Sequence, residues 1–190
     1  MDNNNSKEKN TYPLPVFLSS YKIFQDNRGW FSVIDKVNVP GTKELYSSEW
    51  AGWNYQTNIS VSHPGVLRGM HWQEDCPQGK LVKVLYGRVL DVVVDIRKNS
   101  PTFKKVFSYV LTSEFGEQLF VPRGFAHGYY NYGITDAVFQ YNIDNDYSPS
   151  GERGLAWNSI DFDWNYYLND SEPIISQKDS KWPKIDDVFG

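Results

Sequence analysis

From Thr11 onward apolar and polar residues are mixed without a break, and through the middle of the chain they alternate with period two. The stretch Lys80 to Ile96 reads KLVKVLYGRVLDVVVDI, two β-rich runs flanking Tyr86-Gly87, where a turn falls naturally. Further runs cover Val106 to Leu111, Gln118 to Val121, His127 to Tyr132 and Ala137 to Ile143. Turn signals separate them at Asn99-Ser100-Pro101, Thr112 to Gly116, Pro122-Arg123-Gly124 and Asn131 to Thr135. Short strands at this spacing predict an all-β sandwich or barrel. No stretch longer than two turns shows a clean helical period, so helix is expected only in short pieces, near Ser148 to Leu155 or near the C-terminus. The tail from Ser159, with Trp164, Tyr166 and Tyr167, is expected to wrap the barrel as irregular structure.

At 190 residues the chain suits one domain, read as a flexible polar tail over residues 1–10 and a single domain over 11–190. The N-terminus MDNNNSKEKN has no apolar core of the kind a signal peptide needs, and no apolar run is long enough to span a bilayer. Net charge is −4 with no basic stripe, which argues against nucleic acid as a partner. A single cysteine, Cys76, rules out an intrachain disulfide and suits a reducing cytoplasm. Aromatic residues reach 16%, enough for a large ring-filled core, with some rings available to stack on a sugar or base.

Candidate chemistry gathers around the histidines. His63, in Ser-His-Pro-Gly, reads as an exposed loop residue. His71 and His127 each lie where a β-rich run meets a Gly-containing turn. The spacing Gly116, Pro122, Gly124, His127, Asn131 matches the second cupin motif at each fixed position, and Gly65 followed by His71 fits the start of the first. In metal-binding cupins the next ligands are a second His and a Glu. Here those positions hold Gln73 and Lys80, with six residues between them, read as a lengthened hairpin loop. An ammonium has no lone pair to give and repels a cation, so a metal-dependent oxygenase is disfavoured. The same ammonium can stabilise an oxyanion or enolate.

Together GVLRGMHWQ (65–73), QGKLVKVLYGRVLDVVVDIRKNSPTF (78–103), QLFVPRGFAHGYY (118–130) and SPSGERGLAW (148–157) resemble the dTDP-4-dehydrorhamnose 3,5-epimerase family of cupin sugar epimerases. The resemblance runs from Phe24 to Asp179. It implies an all-β cupin jelly roll (a double-stranded β-helix) with short peripheral helices. It implies a cytoplasmic homodimer with shared active sites, a nucleoside-diphosphate 4-keto-6-deoxy sugar as substrate, and no cofactor. The ketone acidifies the hydrogens at C3 and C5, and inversion there needs a base and an acid on opposite faces of the ring. By the resemblance His71 is the base, Asp179 the carboxylate paired with it, Tyr141 the acid, and Lys80 the lysine beside the enolate. His127 is a second histidine of the site, Arg68 binds diphosphate, and Arg28 is lent by the partner subunit. Gln56, Asn58 and Ser60 line the ligand, and the ring of Tyr147 packs on the base. From residues alone, Asp179 reads as a surface acid in a polar tail and Tyr141 as core; the resemblance places them in the site.

Several positions depart from the family pattern. Val33 stands where an acidic residue near the nucleoside is usual, Asn142 where Lys follows the tyrosine, and Ser159-Ile160 where Asp-Pro is common. These leave GDP-, UDP- or CDP-linked substrates, a heptose, or inversion at one centre as alternatives. A ketoisomerase of the same fold and a non-catalytic sugar-nucleotide-binding cupin are the other readings.

Overall fold

The computed structural model describes residues 14–18, 24–26, 29–31 and 56–190. The expected tail over residues 1–10, Arg28 and Val33 lie outside the described residues. Strands β1 (Val16–Leu18), β2 (Phe24–Asp26), β3 (Gly29–Phe31), β4 (Gln56–Ser62), β5 (Leu67–Gln73) and β6 (Lys80–Tyr86) come first. Then follow β7 (Arg88–Asp95), β8 (Val106–Thr112), β9 (Gln118–Val121), β10 (Phe125–Tyr130), β11 (Ala137–Ile143) and β12 (Glu152–Gly154). One sheet has the order β1-β9-β6-β11-β4, the other β12-β5-β10-β7-β8, while β2 and β3 form a separate ribbon. From β5 to β12 the chain changes sheet at nearly every connection, which is the double-stranded β-helix of a jelly roll.

The runs on either side of Tyr86-Gly87 turn there as expected, and they enter different sheets. The segment between Gln73 and Lys80, expected as a hairpin loop, is instead a crossing between sheets. The helix expected near Ser148 to Leu155 is instead strand β12, because residues 152–154 pair with β5 at the open edge of its sheet. Sheet pairing overrides the weak local helical tendency. His71 and His127 sit inside strands, directly opposite each other across the β5–β10 pair, rather than at strand ends. The glycines beside them serve this pairing. A Cβ on Gly69 would lie 2.5 Å from Gly128 Cα, so the strands approach too closely for any side chain there.

The sequence VLDVVVD is almost unbroken in its apolarity because β7 is covered on both faces. Val89 and Val93 point between the sheets with Val82, Leu119 and Phe139. Leu90, Val92 and Val94 point outward beneath Leu155, Trp164, Leu168 and Ile185. The C-terminal tail therefore does wrap the barrel, but with more order than irregular structure. It contains helices α1 (Asn165–Leu168) and α2 (Ile185–Phe189), and Ser159 Oγ accepts the Ile185 amide at 3.0 Å.

Asp95 closes the loop between β7 and β8. It is fully buried and accepts Arg97 Nε at 2.8 Å, Ser100 Oγ at 2.6 Å and Thr102 Oγ1 at 2.6 Å. Burial would raise its carboxyl, but these donors hold it below the ordinary carboxylate value. A carboxylate whose folded pKa is depressed stabilises the fold above its unfolded pKa, about 3.9, and ceases to do so as pH falls through the lower folded value. Asp95→Ala is expected to cost about 3 kcal/mol in urea unfolding at neutral pH, with the gap to wild type narrowing below about pH 4. Equal stability of the two proteins at neutral pH would contradict the assignment.

Candidate active site

A cavity of about 550 Å³ opens between the two sheets, its wall completed by residues of the C-terminal tail. Of the residues expected in the site, His71, Tyr141, Asp179 and Lys80 line it, as do Ser60, Arg68, His127 and Tyr147. Gln56 and Asn58 do not; they lie further along β4 and bond to each other, Gln56 Nε2 donating to Asn58 Oδ1 at 2.6 Å. His63 is exposed as expected, its Nδ1 2.8 Å from Asp136 Oδ1.

A short polar contact in the cavity joins β5 to the tail. His71 Nε2 donates to Asp179 Oδ1 at 2.5 Å. Asp179 is buried, and burial alone would raise its carboxyl. The bond and charge of His71, with help from Trp182 Nε1 at 3.1 Å, bring it below the ordinary value instead. An ionised carboxylate only accepts, so the proton resides on Nε2 and the lone pair of neutral His71 on Nδ1. Trp182 also packs edge-on against the imidazole, with centroids 6.1 Å apart. Room for the indole comes from Gly154, the residue paired with His71 on β12, where a Cβ would lie 2.5 Å from the Trp182 ring.

Lys80 begins β6 on the opposite sheet. Burial lowers its ammonium from 10.5 to about 8, against the opposing pull of Asp91 and Glu152. Beneath it, His127 Nε2 meets both carboxylate oxygens of the fully buried Asp91, at 3.0 and 2.9 Å. Burial pushes the Asp91 carboxyl up and the His127 imidazole down, while their contact works against both shifts. The donor set does not suit a cupin metal. Lys80 holds one ligand position, and Gln73 at another has its Oε1 engaged by the Ser148 amide at 3.0 Å.

Tyr141 lies on β11, in the same sheet as Lys80 and facing the sheet of His71. Burial pushes its phenol up, so it is protonated at neutral pH. Nearby, the Tyr129 hydroxyl lies 2.8 Å from Ser60 Oγ and 2.9 Å from Ser62 Oγ, and Arg68 Nε donates to Ser62 Oγ at 2.9 Å. At the mouth, Glu152 Oε2 accepts the Tyr147 hydroxyl at 2.5 Å and pairs with Lys178 Nζ at 2.5 Å. These contacts raise both the tyrosine and the lysine, and hold Glu152 low against burial.

Sequence reasoning missed Asp91, Glu152, Lys178 and Trp182. Asp91 had a signal: it is a carboxylate on the inward phase of an otherwise apolar strand. Glu152 was hidden by the helix expected around it. Two of the departures from the family pattern fall away from the cavity. Asn142 lies on the outer phase of β11, where Gln140 Nε2 donates to its Oδ1 at 3.1 Å. Ser159 serves to pin α2.

A jelly-roll barrel whose facing sheets carry this histidine, phenol and ammonium into one cavity is a cupin of the sugar-epimerase class. The sequence model of the dTDP-4-dehydrorhamnose 3,5-epimerase family matches residues 14–187. The dTDP-4-dehydrorhamnose 3,5-epimerase of Shigella flexneri is 39% identical over 176 residues, 91% of this chain and 92% of that one. The crystal structure of the Elizabethkingia anophelis epimerase superposes with a TM-score of 0.78 at 39% identity, covering 93% of this chain and 94% of that chain. The Legionella pneumophila enzyme, solved in complex with dTDP-4-keto-L-rhamnose, gives 0.75 at 35% identity over 88% of this chain and 86% of that chain. The chain belongs to the dTDP-4-dehydrorhamnose 3,5-epimerase family and is an isomerase.

The electrostatic environment of Lys80 is directly measurable. Its side-chain resonances are expected to titrate with a midpoint near 8. A midpoint at the ordinary lysine value of about 10.4 would show that the ammonium is solvated and remote from the cavity.

Proposed function

We propose that this chain inverts C3 and C5 of dTDP-4-dehydro-6-deoxyglucose to give dTDP-4-dehydrorhamnose. The observation that carries the reading is the placement of His71, backed by Asp179, and of Tyr141 on facing sheets around one cavity that also holds Lys80. His71 Nδ1 takes the proton from a carbon next to the C4 ketone. The electron pair moves into the carbonyl, and the Lys80 ammonium stabilises the enolate oxygen. Tyr141 returns a proton to the opposite face, and the ketone re-forms. Asp179 stabilises the imidazolium that exists in between. Proton exchange with solvent restores both groups, so the reaction needs no redox partner and no metal.

Arg68, Ser60, His127 and Tyr147 are the groups proposed to hold diphosphate, sugar and base. Residues 11–190 act as one catalytic domain, in the cytoplasm. We take the working form to be a homodimer in which Arg28 of each subunit completes the other's site. Exposed Ile59 and Val61, on the outer face of the first sheet, support an interface there. No helix among the described residues is long and apolar enough to cross a membrane.

The test is turnover in deuterium oxide. Wild-type enzyme is expected to place deuterium at C3 and C5 with inversion at both carbons, and no 3-keto product. His71→Asn should lower both exchange and inversion by about 10³-fold. Tyr141→Phe should leave exchange faster than inversion, since the base still works while the far face goes unprotonated. Exchange unaffected by His71→Asn would exclude it as the base. The rate should also fall as pH rises through about 8, where Lys80 loses its charge. A profile flat through that range would remove Lys80 from the chemistry.

A further inference from the structure

The segment from Gln73 to Lys80 occupies the place where metal cupins carry ligands, yet its two glutamines are directed at a neighbouring loop. Gln78 Nε2 donates to the Asn145 carbonyl at 3.1 Å and to the Asp146 carbonyl at 3.0 Å. Gln73 Oε1 accepts the Ser148 amide at 3.0 Å. The two glutamines thus grip the backbone immediately before and immediately after Tyr147. Backbone contacts extend the same grip. Gly79 N donates to Asp144 Oδ1 at 2.7 Å, Asn145 Nδ2 to the Pro77 carbonyl at 3.3 Å, and Glu74 N to the Gly151 carbonyl at 2.8 Å.

We propose that Gln73 and Gln78 are positioning residues that hold loop 144–151, and with it the ring of Tyr147, ready for the nucleoside base. The inference rests on the proposed role of Tyr147 at the base. Tyr147 stays 53% exposed, so beyond the bond from its hydroxyl to Glu152 Oε2 its ring depends on the loop that carries it. Ordering it only when ligand arrives would cost binding free energy, and a loop already ordered avoids that cost. An amide side chain suits the task because it both donates to carbonyls and accepts from amides without bringing charge into the cavity. Both glutamines line the cavity, and these bonds commit Gln78 Nε2 and Gln73 Oε1 to backbone. In the proposal their effect on ligand passes through Tyr147, which the double variant below tests against direct contact.

The experiment compares wild type with Gln78→Met and Gln73→Met, which keep approximate length and lose the amide. KM for the sugar nucleotide and Kd for dTDP should each rise about tenfold, the equivalent of one or two hydrogen bonds. The kcat should stay within about twofold, and Kd for inorganic pyrophosphate should not move, since it lacks a base. Amide hydrogen exchange should quicken over residues 144–151 and not in β7 or β10. In a Tyr147→Ala background, Gln78→Met should add nothing to the loss of dTDP affinity. Equal weakening of dTDP and pyrophosphate, additive losses in the double variant, or unchanged exchange in the loop would each overturn the proposal. Should Gln78→Met fail to fold, Gln73→Met tests the other side of the same loop. The binding and exchange arms need no turnover, so an enzyme inactive on the offered sugar would count against the reaction and not against this inference.

Discussion

The hydrogen bond from His71 Nε2 to Asp179 Oδ1 ties together parts of the chain 108 residues apart. One end is a barrel strand and the other is the C-terminal wrap. Because Asp179 is held in its ionised form, it fixes which imidazole nitrogen carries the proton. The position of Asp179 depends in turn on Trp182, which fits only because Gly154 has no side chain. The strap of C-terminal residues therefore does more than cover the outer face of a sheet. It delivers a carboxylate into the cavity and holds it at one distance and angle.

Polar groups inside a barrel of this kind need partners, and here the partners are other polar groups in or beside the same cavity. Asp91 meets His127, Lys80 lies within the field of Asp91 and Glu152, and Glu152 pairs with Lys178 and Tyr147. Each charge is partly compensated, yet burial still holds the Lys80 ammonium below the value of an exposed lysine. A lysine in that condition remains charged at neutral pH while being poorly hydrated, which strengthens its attraction for a developing oxyanion. The apolar remainder of the inner face, including Val89, Val93 and Phe139, keeps water from weakening that attraction.

Much of this architecture was legible in period-two alternation, because strands such as Gln118–Val121 and Ala137–Ile143 are short, regular and bounded by turn residues. What alternation could not convey was which sheet each strand joins, and so the crossings after Gln73 and at Tyr86-Gly87 were not foreseen. Strand β12 was misread because three residues carry too little pattern to outweigh their neighbours. The cupin spacing located His71 and His127, but Asp179 and Tyr141 were placed in the site only by family resemblance. Nothing local distinguishes a tail aspartate that returns to the barrel from one that stays in solvent. Asp91, which went unread, did carry a local signal: a carboxylate inside VLDVVVD needs a buried partner, and the structure supplies His127.

The proposed reaction requires one sugar ring to lie between His71 and Tyr141 with its ketone oxygen toward Lys80. A crystal structure of the enzyme with a bound dTDP-linked 6-deoxy sugar measures this directly. His71 Nδ1 and the Tyr141 hydroxyl are expected on opposite faces of the hexose, each within about 3.5 Å of C3 or C5, with Lys80 Nζ at the C4 oxygen. A hexose bound with both groups on the same face, or bound outside this cavity, would contradict it.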